Sequence, residues 1–151
     1  MRVLVQRVRE ARVETEGRTI GSIGLGLLLF VGIEEADTAE DVMWLCHKLC
    51  GLRIFADEGG KMNKSVMDVV GKILVVSQFT LHASTKKGFR PSFVRAAAPE
   101  VAIPLYRAFL EEMRSMLGAD GVAEGAFGAM MDVHLINDGP VTIWIDSKVR
   151  E

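Results

Sequence analysis

Two short strings hold most of the side chains that could do chemistry. Ser77-Gln78-Phe79-Thr80 sets two hydroxyls, a carboxamide and an aromatic ring at the end of the apolar run Ile73-Leu74-Val75-Val76. Polar groups at the buried end of a strand need partners or a ligand. Such a cluster can also supply donors to a developing oxyanion. A purely structural reading competes, in which these side chains bond neighbouring backbone and end the strand. Strand alternation would place Gln78 and Thr80 on one face and Ser77 and Phe79 on the other, two faces of a pocket wall and not a triad. The second string, Asn137-Asp138-Gly139-Pro140, reads by composition as a turn between two strands. A Gly-Pro bond also adopts cis at modest cost, which can aim two consecutive carbonyls the same way.

Other chemistries find less support. Ser77, His82, His134 and Asp138 lie near these segments, yet there is no Gly-x-Ser-x-Gly elbow and no spacing ties either histidine to Ser77. No Gly-x-x-x-x-Gly-Lys and no Gly-x-Gly-x-x-Gly occurs, so a nucleotide cofactor is not indicated. Cys46 and Cys50 stand one helical turn apart around His47, but no further Cys or His cluster completes a tetrahedral metal site. Core packing accounts for both thiols, and no metal or other cofactor is expected.

The elements that must position these strings follow from periodicity. Val3 to Val8 and Arg12 to Thr15 are rich in β-branched residues, and Glu16-Gly17-Arg18 offers a turn before Thr19 to Ile23, which predicts an opening hairpin. Leu27 to Ile33 is apolar on both faces and suits a central strand between a second layer and a helix. Thr38 and Asp41 resemble a capping box ahead of the stripe Val42, Leu45, Cys46, Leu49, Cys50, closed by Gly51. Ile73 to Leu81 reads as another buried strand. A second helix is expected from Pro99 to Leu117, its first turn loosened or kinked by Pro104, which lacks the N–H that would bond back to Glu100. Strands near Met130 to Ile136 and Val141 to Ile145 close the chain. The fold class is mixed α/β, with mostly antiparallel sheets curled toward a barrel and two main helices. No linker or repeat divides the chain, so residues 1–151 form a single domain.

The 151 residues are 49% hydrophobic, enough for a core without staples. The longest apolar run is too short to cross a bilayer, the N-terminus lacks an export signal, and two cysteines do not make a disulfide framework. A cytoplasmic setting follows. A formal net charge of −2 is not that of a broad phosphate binder, so any RNA contact must be local. From Asp68 to Glu100 no acidic residue intervenes, while Lys72, Lys86, Lys87, Arg90 and Arg95 fall in that stretch. Lys86, Lys87 and Arg90 are the candidate phosphate contacts, with a merely solvated basic loop as the alternative.

Val5-Gln6-Arg7-Val8, Arg53-Ile54-Phe55, Ser77-Gln78-Phe79-Thr80-Leu81, Gly88-Phe89-Arg90-Pro91-Ser92-Phe93 and Asn137-Asp138-Gly139-Pro140-Val141-Thr142 together resemble, in order and spacing, the D-aminoacyl-tRNA deacylase family. The resemblance implies hydrolysis of the ester in D-aminoacyl-tRNA, and of glycyl-tRNA mischarged on tRNA-Ala, with free amino acid and tRNA as products. It implies a homodimer in which a cis Gly139-Pro140 of one subunit enters the neighbouring pocket, held there by Arg7, and excludes L-aminoacyl groups sterically. Ser77, Gln78, Phe79 and Thr80 would be the catalytic centre, and Phe127, Ala129 and Met131 would help to line the pocket. Whether Thr80 or the 2′-hydroxyl of the terminal adenosine assists the chemistry stays open. A class with a trans Gly-Pro motif differs in the strand string, where this chain keeps Ser77 and Phe79.

Overall fold

In a computed structural model that describes residues 1–150, the chain is organised around its first strand. β1 (Arg2–Thr15) and β2 (Arg18–Ile23) form the opening hairpin around Glu16 and Gly17, both at positive φ. β3 (Gly26–Gly32) continues from β2, so that β1 pairs antiparallel with β3 from Arg2 to Val8 and with β2 from Ala11 to Thr15. The last strand, β8 (Asp132–Asp146), pairs antiparallel with β1 from Arg2↔Asp146 to Glu14↔Asp132. A strand has only two edges. β8 therefore occupies one edge of β1, and β2 and β3 share the other.

Beyond β3 the sheet turns parallel. β6 (Lys72–Ser77) pairs with β3 and β7 (Val122–Glu124) with β6, both parallel, while β4 (Phe55–Ala56) and β5 (Met62–Lys64) make a small separate hairpin. β7 swings back toward β2, where a Cβ added to Gly21 would sit 2.6 Å from the carbonyl oxygen of Glu124. Only glycine admits that approach, and it nearly closes the sheet into a barrel. The class read from the sequence holds, with a parallel segment at its middle.

The two faces of this curled sheet explain the apolar run in β3. Leu28 joins Val8, Val13, Ile23, Leu74 and Val76 inside the barrel, while Leu27 and Leu29 join Ile73 and Val75 against the helices. α1 (Ala39–Gly51) buries Val42, Leu45, Cys46, Leu49 and Cys50, the stripe its periodicity predicts. Asp41 accepts the Thr38 backbone N–H at 2.9 Å to close the N-terminus. α2 (Pro99–Leu117) buries Tyr106, Phe109, Leu110 and Met113, and Gly118 at φ 81° ends it. Cys50 Sγ lies 3.6 Å from Met113 Sδ, so both thiols belong to the interhelical core. Under the sheet's far end Met1, Asp37, Asp41 and Ser147 form a buried polar cluster, with the exposed Lys148 at its rim. The Met1 ammonium contacts Asp37 and Ser147, Ser147 donates to Asp41 at 2.7 Å, and Lys148 reaches Asp41 at 2.7 Å.

Three expectations are corrected. Val3 to Val8 and Arg12 to Thr15 are one strand, because bulges opposite Arg7 and Arg9 absorb the break in alternation. Asn137 to Pro140 is not a turn between strands but the interior of β8. Pro140 offers no ladder N–H, and the Asn137 side chain compensates, accepting from Val141 N–H at 2.8 Å and donating to Val141 O at 3.1 Å. β6 ends at Ser77, and Phe79–His82 is a 3₁₀ turn, so strand alternation does not govern Gln78 to Thr80. Pro104 lies inside α2, within its first two turns.

Candidate active site

The pocket forms where β3 and β6 run out side by side, the usual place for a ligand crevice beside parallel strands. Gln78 N–H donates to Val31 O at 2.7 Å and ends the pairing. The chain then winds into the 3₁₀ turn, with Leu81 N–H on Gln78 O and Ala83 N–H on Thr80 O. Phe79 and Thr80 open that turn, so their amides have no earlier carbonyl of the same turn to bond. Gln78 Nε2 donates to Thr80 Oγ1 at 2.5 Å, which joins two of the four motif residues directly.

Ser77, Gln78 and Phe79 line a cavity of about 250 Å³ together with Val31, Ile33, Ala96, Ala97, Pro99, Ala102, Phe127 and Gly128. Ser77 Oγ accepts the Gly128 N–H at 3.3 Å, tying the loop after β7 to the end of β6. Phe127 leans on Tyr106 with ring centroids 5.3 Å apart, and Tyr106 in turn donates to Val75 O at 3.2 Å. Burial drives the Tyr106 pKa well up, so it stays a neutral donor. On the opposite rim Phe79 meets Phe93 edge to face at 5.1 Å. A larger hollow of about 600 Å³ lies beside Glu10, Arg12, Ser22 and His134. It is polar and none of the motif residues reaches it, so the smaller apolar pocket is the candidate site.

Beneath the turn, Gly32 is the support. A Cβ there would come within 2.9 Å of Gln78 O, 3.0 Å of Leu81 Cβ and 3.1 Å of His82 Cδ2. His82 is wholly buried, and its ring nitrogens have no hydrogen-bond partner among the described residues. Burial lowers its pKa, and Glu34 stands 3.8 Å from Nδ1.

The structure separates the serine-type arrangement. Ser77 Oγ faces Gly128, His82 faces Glu34, and His134 pairs with Glu14 at 3.5 Å. Asp138 is held by Arg7 and Arg9, each at 3.3 Å. Arg7 also donates to the carbonyls of Asp138, at 2.8 Å, and Ile54. Its guanidinium thus grips the centre of β8. The Gly139-Pro140 peptide is cis, both residues are exposed, and neither lines the pocket of its own chain. Of the other candidates, Phe127 is a pocket wall, Ala129 is exposed, and Met131 packs on the barrel interior. Lys86, Lys87 and Arg90 are exposed on a loop whose neck is the Ser84↔Ser92 bridge, whereas Arg95 is paired with Glu34 at 3.1 Å. Sequence reasoning missed Val31, Ile33, Ala96, Ala97 and Ala102. The only signal for them was the run of small residues Ala96-Ala97-Ala98 ahead of α2. Among the described residues no three His, Cys, Asp or Glu side chains converge as metal ligands, and no helix is long and apolar enough to cross a membrane.

Comparison with known proteins agrees with this geometry. The family model for D-Tyr-tRNA(Tyr) deacylase matches residues 4–146. A D-aminoacyl-tRNA deacylase of Akkermansia muciniphila is 60% identical over 151 residues, covering all of both chains. That of Chromobacterium violaceum is 57% identical, again over the full length of both. Among solved structures, the c-Myc DNA Unwinding Element Binding Protein superposes with a TM-score of 0.92 at 43% identity, over 97% of this chain and 98% of that one. A probable eukaryotic D-amino acid tRNA deacylase shares the fold, with a TM-score of 0.82 at 19% identity over 95% of this chain and 97% of that one. By full-length identity, matched family model and shared fold, the chain belongs to the D-aminoacyl-tRNA deacylase family of hydrolases.

Proposed function

We propose that the chain removes D-aminoacyl groups, and glycyl groups mischarged on tRNA-Ala, from tRNA in the cytoplasm, working as a homodimer. The observation that carries the dimeric reading is the placement of Gly139 and Pro140. They are exposed, the carbonyl of the preceding Asp138 is held by Arg7, and neither lines the pocket of its own chain. A second copy is the natural recipient. On the helix-free face of the sheet, Phe30, Leu4 and Trp144 are cross-strand neighbours, and Trp144 remains 47% exposed. An apolar row of that kind next to the motif suits a protein interface.

In this reading the terminal adenosine and its ester enter the pocket beside Ser77 to Thr80. Water attacks the ester carbonyl, and the amides of Phe79 and Thr80 donate to the oxygen that becomes negative. Collapse of the intermediate breaks the bond to the ribose oxygen, which takes a proton, with the neighbouring 2′-hydroxyl as the nearest relay. Free amino acid and tRNA leave. Gln78 and Thr80 position the turn through their mutual hydrogen bond. An aminoacyl ester is already activated, so positioning and oxyanion stabilisation suffice without a triad. The partner's Gly139-Pro140 carbonyls would stand where an L side chain must point, leaving room for hydrogen or a D side chain outward.

The test pairs D-tyrosyl-tRNA, L-tyrosyl-tRNA and glycyl-tRNA-Ala as substrates and measures each ester's decay, with sedimentation to read the oligomer. Selective loss of the D and glycyl esters by a dimer is the expected result. Equal loss of the D and L esters rejects chiral discrimination, and binding without ester loss selects a tRNA-binding module instead.

A further inference from the structure

The loop from Ser84 to Ser92 carries a feature that the deacylase pocket does not use. Its neck is closed by two backbone hydrogen bonds, Ser84 N–H to Ser92 O at 2.8 Å and Ser92 N–H to Ser84 O at 2.9 Å. Gly88, at φ +65°, lets the tip turn, and the next residue, Phe89, is fully exposed at 108% of its reference area. A singly exposed apolar side chain is ordinary. A phenylalanine presented at the tip of a pinned loop, between Lys87 and Arg90 with Lys86 beside them, is not. Among the described residues none of these three cations has a carboxylate within ion-pair distance. The loop also connects to the site. Phe93, just past the neck, packs edge to face on Phe79, which lines the pocket.

An aromatic ring flanked by unpaired cations is the arrangement that holds single-stranded nucleic acid. The ring stacks on any base, and the cations meet the phosphates on either side. We propose that Phe89 stacks on an unpaired base in the 3′ segment of the aminoacylated tRNA, upstream of the terminal adenosine, with Lys86, Lys87 and Arg90 on the adjoining phosphates. This inference rests on the deacylase reading of the pocket. It adds a site that recognises the RNA and not the amino acid, so handedness and tRNA selection reside in different parts of the chain.

The experiment compares two substrates, full-length D-tyrosyl-tRNA and the D-tyrosyl ester of adenosine alone, on the wild-type protein and on Phe89→Ala, Phe89→Leu and Phe89→Trp. The readout is the ratio of kcat/KM for the first substrate to that for the second. Phe89→Ala should lower this ratio about 5- to 100-fold, the loss of one base stack, mainly through KM. Phe89→Leu should behave like the alanine variant although it stays apolar, and Phe89→Trp should keep the ratio within about threefold. An unchanged ratio overturns the inference. So does an equal loss on both substrates, which would make Phe89 part of the pocket's architecture. A shift of Phe89→Ala to a smaller species in sedimentation also overturns it, since Phe89 would then be covered by a second copy. If the wild-type protein hydrolyses neither ester, the deacylase reading itself fails, separately from the role of Phe89.

Discussion

Replacing Gly32 with alanine should slow catalysis although Gly32 itself does not line the pocket. The backbone there is of a kind any residue adopts, so the effect comes from the methyl group alone. That methyl would lie 2.9 Å from Gln78 O and 3.0 Å from Leu81 Cβ, against an ordinary contact of 3.4 Å or more. The Gln78 carbonyl must retreat by about half an ångström, and because Leu81 N–H bonds that carbonyl, the whole 3₁₀ turn shifts with it. Overpacking of this kind costs about 1 to 3 kcal/mol. For a chain of this length that is about 3 to 10 °C of Tm. A 1 Å misplacement of reacting groups costs about 100-fold, so half that displacement of Phe79 and Thr80 should lower the single-turnover rate on D-tyrosyl-tRNA about tenfold. Gly51→Ala is the control, since its Cβ would meet nothing within 4 Å. It should leave the rate unaltered and Tm equal or higher. Gly32→Ala with the expected fall in Tm and an unchanged rate would refute the claim that the turn's position sets the chemistry.

Thr80→Ala removes the 2.5 Å bond from Gln78 and should lower kcat by no more than about 100-fold; complete loss, with folding and tRNA binding intact, would restore Thr80 as a covalent nucleophile. Arg7→Lys leaves one donor group where a fork reached the carbonyls of Asp138 and Ile54, so the ratio of D- to L-tyrosyl-tRNA hydrolysis should fall about 10- to 100-fold in parallel decay assays. Burial raises the Asp41 pKa, but hydrogen bonds from Lys148, Ser147 and the Thr38 backbone outweigh it and hold the carboxyl well below its ordinary 3.8. Its stabilisation is therefore present above pH 3.8 and is lost as pH falls toward the folded value. Urea unfolding should show Asp41→Asn about 3 kcal/mol less stable at pH 7, with the gap closing below about pH 4. Burial pushes the Cys50 thiol up to about 11. At pH 8 about one thiol in a thousand is ionised, so a thiol-specific reagent should leave the native protein unmodified and label both cysteines after unfolding.

Local rules made the helices and the apolar strands legible. Thr38 with Asp41, the Cys46 and Cys50 stripe, and Pro99 with Gly118 each mark a helix by nearest-neighbour physics. The two chemical strings were legible as strings but not as shapes. Asn137 to Pro140 has turn composition, and it remains in a strand only because β1, far earlier in the chain, supplies a partner and Arg7 clamps the bulge. No local pattern carries that information. Ser77 to Thr80 looked like a strand end because Ile73 to Val76 precede it; the 3₁₀ turn depends on Gly32, which lies in another strand. The pocket's remaining walls, Val31, Ile33, Ala96, Ala97 and Ala102, are apolar or small residues. Nothing distinguishes them from core until the topology brings them to one rim.

The pairing of β1 with β8 also bears on how such a chain can be made. β1 leaves the ribosome well before β8, which matches it along its length, and the partners Arg2 and Asp146 stand far apart in sequence. A topology so dominated by distant contacts folds late and comparatively slowly, because the loop must close before any of those contacts is rewarded. Throughout synthesis the free edge of β1 and the apolar side chains beneath it are open to other chains, a period in which aggregation competes with folding. The motif at residues 137 to 140 is delivered by that same strand β8, so a partially synthesised chain has a pocket floor but lacks the cis Gly139-Pro140 element.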